Sequence, residues 1–265
     1  MVFNLNDGLM YYLLNQDLGI DAVLKYAILA IGFTLISIAV GYLLGSINSA
    51  IIVSSTIYSD DIRKHGSGNA GLTNMLRTYG LGAAGLTLLG DLLKTAVSVF
   101  IGGVLGGFCY IGGISMGGLS SDIPLAYIAG FFAIIGHIWP IYYKFKGGKG
   151  VLCTAVMALI LTPLEFVFLI AIFALIVFTT KYVSLASVTV GVLYPVVVSG
   201  HIKVLMSLNS ELPGQNGIMA LITIIIAILI VYCHRGNLKR ISEGTERKIS
   251  IGGKKKNADN GENNG

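Results

Sequence analysis

Charge is scarce in this chain. Only 12% of its 265 residues are Asp, Glu, Lys or Arg, and 54% are hydrophobic. A soluble domain carries about a quarter charged residues, so an ordinary soluble globule is excluded. Cysteine is nearly absent too. Cys109, Cys153 and Cys233 have no CxxC spacing and sit in or beside apolar runs. They read as packing residues, with no disulfide or metal site expected. A secretory leader is missing, because residues 1–25 hold a single basic residue, Lys25, and no charged segment precedes a cleavage site. The first long apolar run therefore reads as a true span. A nucleotide loop is missing as well. The Walker pattern needs GxxxxGK[ST], but Tyr143 stands at its first glycine position and Gly150 replaces the hydroxyl residue, so ATP binding is not expected. No histidine begins an HxxxxD pair: Ala70, Tyr142, Met206 and Lys239 stand five positions after His65, His137, His201 and His234. That argues against chemistry built on such a pair.

Long apolar runs are abundant. A spanning helix needs about 20 mostly apolar residues to cross a hydrocarbon layer of about 30 Å. Seven candidates occur, near 26–56, 80–106, 123–143, 150–161, 163–180, 184–200 and 216–234. The fourth is short and stops at Pro163. The fold class is therefore an all-α integral membrane protein of about seven transmembrane helices. Residues 1–25 form an extracellular extension, 26–249 the membrane domain, and 250–265 a polar, disordered tail. Glycine, at 35 residues, lets membrane helices approach closely. With the N-terminus outside and the C-terminus cytoplasmic, the inner segments hold 15 of the 18 Lys and Arg residues, as the positive-inside rule requires. An even number of spans breaks that alternation.

Three polar blocks fall on the cytoplasmic side of this topology. The first is DIRKHGSGNAGLTNMLRTYG, 61–80. Its small-residue turn, 66–71, can present N–H groups and the Ser67 hydroxyl to an anion. Asn74 and Arg77 share a helix face, and a guanidinium there can grip phosphate with paired N–H bonds. The second is GHIWPIYYKFKGGKG, 136–150. If a helix starts after Gly150, its N-terminal amides and Lys149 make a phosphate site. His137 reads as a buried, satisfied histidine. The third is HRGNLKRISEGTERKI, 234–249. His234 and Asn237 share a face of a continuing helix, while Lys239 and Arg240 serve as a basic flank. Inside the second span, Asp91 and Lys94 read as a structural pair, because ionisable groups in a membrane are costly unless partnered.

The segments GSGNAGLTNMLR (66–77), GHIWPIYYKFKGGKGV (136–151) and HRGNLKRISEGTERK (234–248) together resemble the acyl-phosphate:glycerol-3-phosphate acyltransferases of the PlsY family. The matches run in order from about residue 40 to 249. Trp139 stands where that family usually has phenylalanine. The first 25 residues, 107–122 and the tail look like additions. The resemblance implies transfer of a fatty acyl group from acyl phosphate to the sn-1 hydroxyl of glycerol 3-phosphate, without metal or other cofactor. It implies a bacterial cytoplasmic membrane, a cytoplasmic active site, and lipid and an acyl-phosphate synthase as partners, with no nucleic acid. Carried over by motif, Ser67, Arg77, Lys149, His234 and Asn237 bind phosphate and glycerol. Gly147, Gly148 and Gly150 form the phosphate loop, Asn69, Thr73 and Asn74 support the first motif, and Glu246 is structural. The hydroxyl proton goes either to His234 or to a phosphate oxygen of the donor. The rival reading is a transporter or channel for a small phosphorylated solute, which requires polar residues along a path through the membrane.

Overall fold

The structure is a computed structural model that describes residues 8–106, 124–208 and 216–249. The loop expected at 107–122, with Cys109, and the tail from 250 lie outside the described residues. Among them, all regular structure is helical.

The chain opens with α1 (Gly8–Leu14), whose Met10 is fully buried beside Phe33 and Leu125. Asp21 then accepts hydrogen bonds from the amides of Val23 and Leu24, at 2.9 and 3.1 Å. These caps start α2 (Ala22–Gly45), satisfying donors that have no partner within the helix. The first apolar run, expected as one helix, is broken at residues 46–48. Asn48 accepts from the amide of Ile51 at 3.0 Å and so starts a second helix, α3 (Ser49–Ile57). A short 3-10 turn, Ile62–Lys64, leads through the glycine-rich turn to α4 (Leu72–Tyr79). Next come α5 (Leu81–Gly106) and α6 (Leu125–Ile138). The chain continues through α7 (Val151–Leu161), α8 (Pro163–Thr180), α9 (Val183–Leu208) and α10 (Asn216–Ser242).

Six of these segments are long and apolar enough to cross a membrane: Ala22–Ile57, Leu81–Gly106, Leu125–Tyr143, Pro163–Thr180, Val183–Gly200 and Gly217–Ser242. The seventh candidate is α7. Its 11 residues reach only about 16 Å, half of a hydrocarbon layer. Pro163 lacks the amide to extend that helix and instead sits in the first turn of α8, where the missing donor costs nothing.

The α2–α6 contact shows what the glycines do. A Cβ on Gly41 would stand 2.3 Å from the Ala129 carbonyl oxygen, and one on Gly45 2.2 Å from that of Ala133. Only hydrogen fits, so the two backbones touch. In lipid, where apolar side chains gain little by leaving the solvent, such dispersion contacts drive helix association. A second core joins α6, α7, α9 and α10 through Met157, Tyr194, Ile226 and Ile230. After α10 the chain folds back. The amide of Ile249 donates to the Lys181 carbonyl at 2.9 Å, and the Lys248 ammonium lies 5.4 Å from the centre of the Tyr182 ring.

Candidate active site

A cavity of about 520 Å³ opens where α4, α7, α8, α9 and α10 meet the returning C-terminal segment. Its lining changes character with depth. Along α10 the lining residues run from Asn237 through His234 to Ile230. Along α9 they run from Ser184 and Ser187 to Val190, Gly191 and Tyr194. The N-terminus of α7 contributes Val151 and Leu152, and Ala155 and Ala158 follow inward. Phe166, Leu169, Ile170 and Phe173 of α8 wall the inner part. From Ser184 to Tyr194, helix rise gives a depth of about 15 Å. One end is thus cationic and hydrogen-bonding, and the other is a slot of apolar side chains.

The first polar block is shaped by Asn74, a buried residue. Its Oδ1 accepts from the amide of Ser67 at 3.1 Å. Its Nδ2 donates to the carbonyls of Ile62, His65 and Asn69, at 3.0–3.2 Å. One amide side chain therefore ties the whole turn, while Gly66 (φ +57°) and Gly68 (φ +71°) adopt the left-handed backbone that it demands. Ser67, Asn69, Thr73 and Arg77 line the cavity beside it. The exposed Arg77 donates from Nη2 to the carbonyl of Arg247 at 3.2 Å.

The second block ends in the glycine loop. The amides of Gly147 and Gly148 donate to the carbonyls of Ile138 and His137, at 3.2 and 3.0 Å. They point at α6, so the amide donors left beside the cavity are those at the start of α7, where Val151 and Leu152 line it. The first amides of a helix have no partner within it and lie at the positive end of its dipole. Gly150, at φ +79°, turns the chain into that helix. A Cβ on Gly147 would come within 2.1 Å of the His137 carbonyl oxygen; the loop is glycine because it is pressed against α6.

Lys149 leaves this loop and donates from Nζ to Oδ1 of Asn237. Burial pushes its ammonium down to about 8 against the pull of the Glu246 charge. Asn237 in turn donates to Oε1 of Glu246 at 2.6 Å. The same oxygen accepts from the Ser184 hydroxyl at 2.8 Å, and Oε2 accepts from Arg240 Nε at 2.7 Å. Burial raises the Glu246 carboxyl, but these donors outweigh it and hold the group below the usual range. His234 is buried with Nδ1 2.7 Å from the Ile230 carbonyl. A carbonyl only accepts, so Nδ1 carries a proton, and Nε2 is left to accept whenever the ring is neutral.

Known proteins are similar to this chain in sequence and in fold. The family model described as glycerol-3-phosphate acyltransferase matches residues 35–244. The chain belongs to the glycerol-3-phosphate acyltransferase family. The glycerol-3-phosphate acyltransferase of Syntrophomonas wolfei is 40% identical over 209 residues, 79% of this chain and 93% of its own. That of Bacillus subtilis is 35% identical over 213 residues, 80% of this chain and 95% of its own. The crystal structure of PlsY (YgiH), an integral membrane glycerol 3-phosphate acyltransferase, in its glycerol 3-phosphate form superposes with a TM-score of 0.66. Identity is 27%, covering 82% of this chain and 96% of that one. Its lysophosphatidic acid form gives 0.64 at 26% identity.

In this family member, Ser67, Asn69, Thr73, Asn74, Arg77, Lys149, Gly150, His234, Asn237 and Glu246 all line one cavity, although they come from three separated blocks. Gly147 and Gly148 sit behind it as the loop's support. Asp91 and Lys94 lie 2.9 Å apart, as an ion pair buried within α5. Ser184 lies outside the three polar blocks, and Arg240 reads from the sequence as part of a basic flank. Both hold Glu246. The available signal was spacing: His234, Asn237 and Arg240 are three apart in turn and share one face of α10.

Proposed function

We propose that this protein transfers a fatty acyl group from acyl phosphate to the sn-1 hydroxyl of glycerol 3-phosphate, producing lysophosphatidate and inorganic phosphate. The observation that supports this reading is the cavity's division into a cationic mouth and an apolar slot. A molecule with an anionic head and a long acyl tail fits that division, and the two phosphates of a donor–acceptor pair need the cations that converge there. Family membership supports the same acceptor.

Acyl phosphate is a mixed anhydride and is already activated, so positioning and charge stabilisation carry the reaction. Lys149, Arg77 and the α7 amides neutralise the phosphates and draw them together. His234 Nε2 accepts the hydrogen bond of the attacking hydroxyl, and Asn237 keeps Lys149 in place. The hydroxyl oxygen attacks the acyl carbon, the bond from carbon to phosphate oxygen breaks, and its electron pair leaves with phosphate. The hydroxyl proton passes to a phosphate oxygen of the donor, so no protein group ends the cycle in a changed protonation state. Ser67 and Thr73 supply hydroxyl donors at the same rim.

The same proposal places the site on the inner face of a bacterial cytoplasmic membrane, with the N-terminus outside. Lipid surrounds the helices and an acyl-phosphate synthase delivers the donor. In this proposal α7, short as it is, counts as the seventh crossing. The rival solute pathway calls for polar groups lining a continuous route, whereas the inner cavity wall is mostly apolar.

The test uses purified protein in detergent or lipidic mesophase with glycerol 3-phosphate and palmitoyl phosphate. Phosphate and lysophosphatidate are followed, with Arg77→Ala and palmitoyl-CoA as controls. Turnover that needs acyl phosphate and is lost in the variant supports the proposal. A folded protein inactive with every donor overturns it.

A further inference from the structure

Three ionisable side chains meet inside the helical bundle at the inner wall of the cavity, which Asp91 and His137 themselves line. Asp91 Oδ1 lies 2.9 Å from Lys94 Nζ and 3.6 Å from His137 Nδ1. Lys94 Nζ is also 2.9 Å from His137 Nδ1, and it donates to the Ile47 carbonyl at 2.8 Å. The Ser49 hydroxyl donates to Asp91 Oδ1 at 3.1 Å. Asp91, Lys94 and His137 are each no more than 6% exposed. A paired Asp and Lys alone would satisfy the cost of placing charge in a membrane. The third residue, His137, makes the cluster more than a pair, because its other face touches the site.

That face lies against Gly148. A Cβ there would sit 2.0 Å from His137 Nε2 and 2.9 Å from the Ala70 carbonyl oxygen. Gly148 is therefore clamped between the imidazole and the first polar block. Ala70 is held from the other side, since Asn48 Nδ2 reaches its carbonyl at 3.5 Å. Asn48 belongs to the α2–α3 break, the same break whose Ile47 carbonyl accepts from Lys94. The cluster thus closes a ring: α5 to the break, the break to the first block, that block to the glycine loop, and the loop through His137 back to α5.

We infer that Asp91, Lys94 and His137 are positioning residues that set the spacing between the two phosphate-binding segments, 66–77 and 147–150. They act through Gly148 and Ala70. This rests on the acyl-transfer proposal for what the segments bind. Two anions must be held at one fixed separation, and a buried ionic cluster has few alternative geometries, so it resists the repulsion that would spread the segments.

The decisive measurement is binding by purified protein in detergent, which needs no turnover. Calorimetry with glycerol 3-phosphate and with inorganic phosphate gives a dissociation constant and a stoichiometry, and wild-type turnover is recorded in parallel. Asp91→Asn/Lys94→Met removes both charges of the pair together, so neither is stranded. A positioning role raises the dissociation constant about tenfold or more at full stoichiometry, because displacement of a site by a fraction of an ångström weakens every contact. A merely structural role lowers the stoichiometry and leaves the constant unchanged, and that result overturns the inference. Should the double variant fail to fold, Ser49→Ala decides. Loss of its one hydrogen bond to Asp91 raises the constant about threefold, and an unchanged constant is again fatal. Wild-type protein that binds phosphate but turns over no donor refutes the acyl-transfer proposal and leaves the positioning role standing.

Discussion

Lys149 donates from Nζ to Oδ1 of Asn237, a residue 88 positions further along the chain. The glycine loop and the end of α10 are therefore one unit. Glu246 extends the unit by accepting from Asn237, Ser184 and Arg240. A cation that enters the cavity from a loop is thus aimed by a helix and by the returning tail.

Removing that cation should be severe. Lys149→Met is expected to lower kcat/KM by about a thousandfold, the scale seen when a charge-stabilising donor is deleted from a reaction site. Steady-state assays with varied glycerol 3-phosphate and varied acyl phosphate check this, alongside gel filtration to confirm folding. A loss smaller than tenfold would remove Lys149 from the phosphate contacts.

The buried ammonium also predicts a pH response. Lys149 is pushed down to about 8 by burial, from an ordinary value of 10.5. Above pH 8 the free enzyme loses the charge that binds phosphate, so kcat/KM falls on the alkaline side. Bound phosphate favours the ammonium, so the limb in kcat lies at higher pH. The sign for stability is opposite. Between pH 8 and 10.5 the unfolded chain holds the proton that the folded chain has lost, so this group's contribution to stability rises with pH. Rate and thermal-unfolding profiles taken over the same buffers separate the two effects.

Glu246→Ala should cost about 2 kcal/mol, because it leaves the donors of Ser184, Asn237 and Arg240 without their charged acceptor. It should also raise the KM for glycerol 3-phosphate, since Asn237 then loses its orientation. The wild-type carboxyl is held below its ordinary value of 4.5. Its contribution is present above that value and is lost as pH falls through the lower folded value. Thermal unfolding of both proteins across the acid range, with the difference shrinking at low pH, is the check.

Gly148→Ala should lower activity about a hundredfold, because the added methyl meets His137 Nε2 at 2.0 Å and the loop must shift. Gly32 provides the contrast. Nothing lies within 4 Å of a Cβ there, and it sits inside α2. Gly32→Ala should keep full activity and gain up to about 1 kcal/mol through helix propensity. Parallel assays of both variants distinguish a site effect from a general intolerance of alanine.

Much of the protein was legible before any coordinates. Segments 80–106, 150–161 and 163–180 were placed within a residue or so, because apolar runs and Pro163 mark their ends locally. The break at 46–48 was not read as a break. Ser46 bonds back to the Tyr42 carbonyl at the end of α2 and Asn48 caps the start of α3, and such side-chain bonds to neighbouring backbone leave no mark in hydropathy. The last apolar span reads as 216–234 with the helix continuing through His234 and Asn237, and α10 indeed runs to Ser242, since a helix that leaves the lipid loses its apolar signature without unwinding.

The sequence by itself determined the membrane class, the apolar segments and the three blocks of polar side chains, because each depends on residues close in the chain. Tertiary structure alone decided the rest. It turned the amides of Gly147 and Gly148 toward α6, gave Glu246 its three donors, and brought His137 to Asp91 and Lys94, 43 positions from the lysine. The reason is physical. Helix periodicity states which side chains share a face, but which face meets which is set by close packing at residues such as Gly41, Gly45 and Gly148. Backbone carbonyls, the acceptors for many of these bonds, look alike at every position in a sequence.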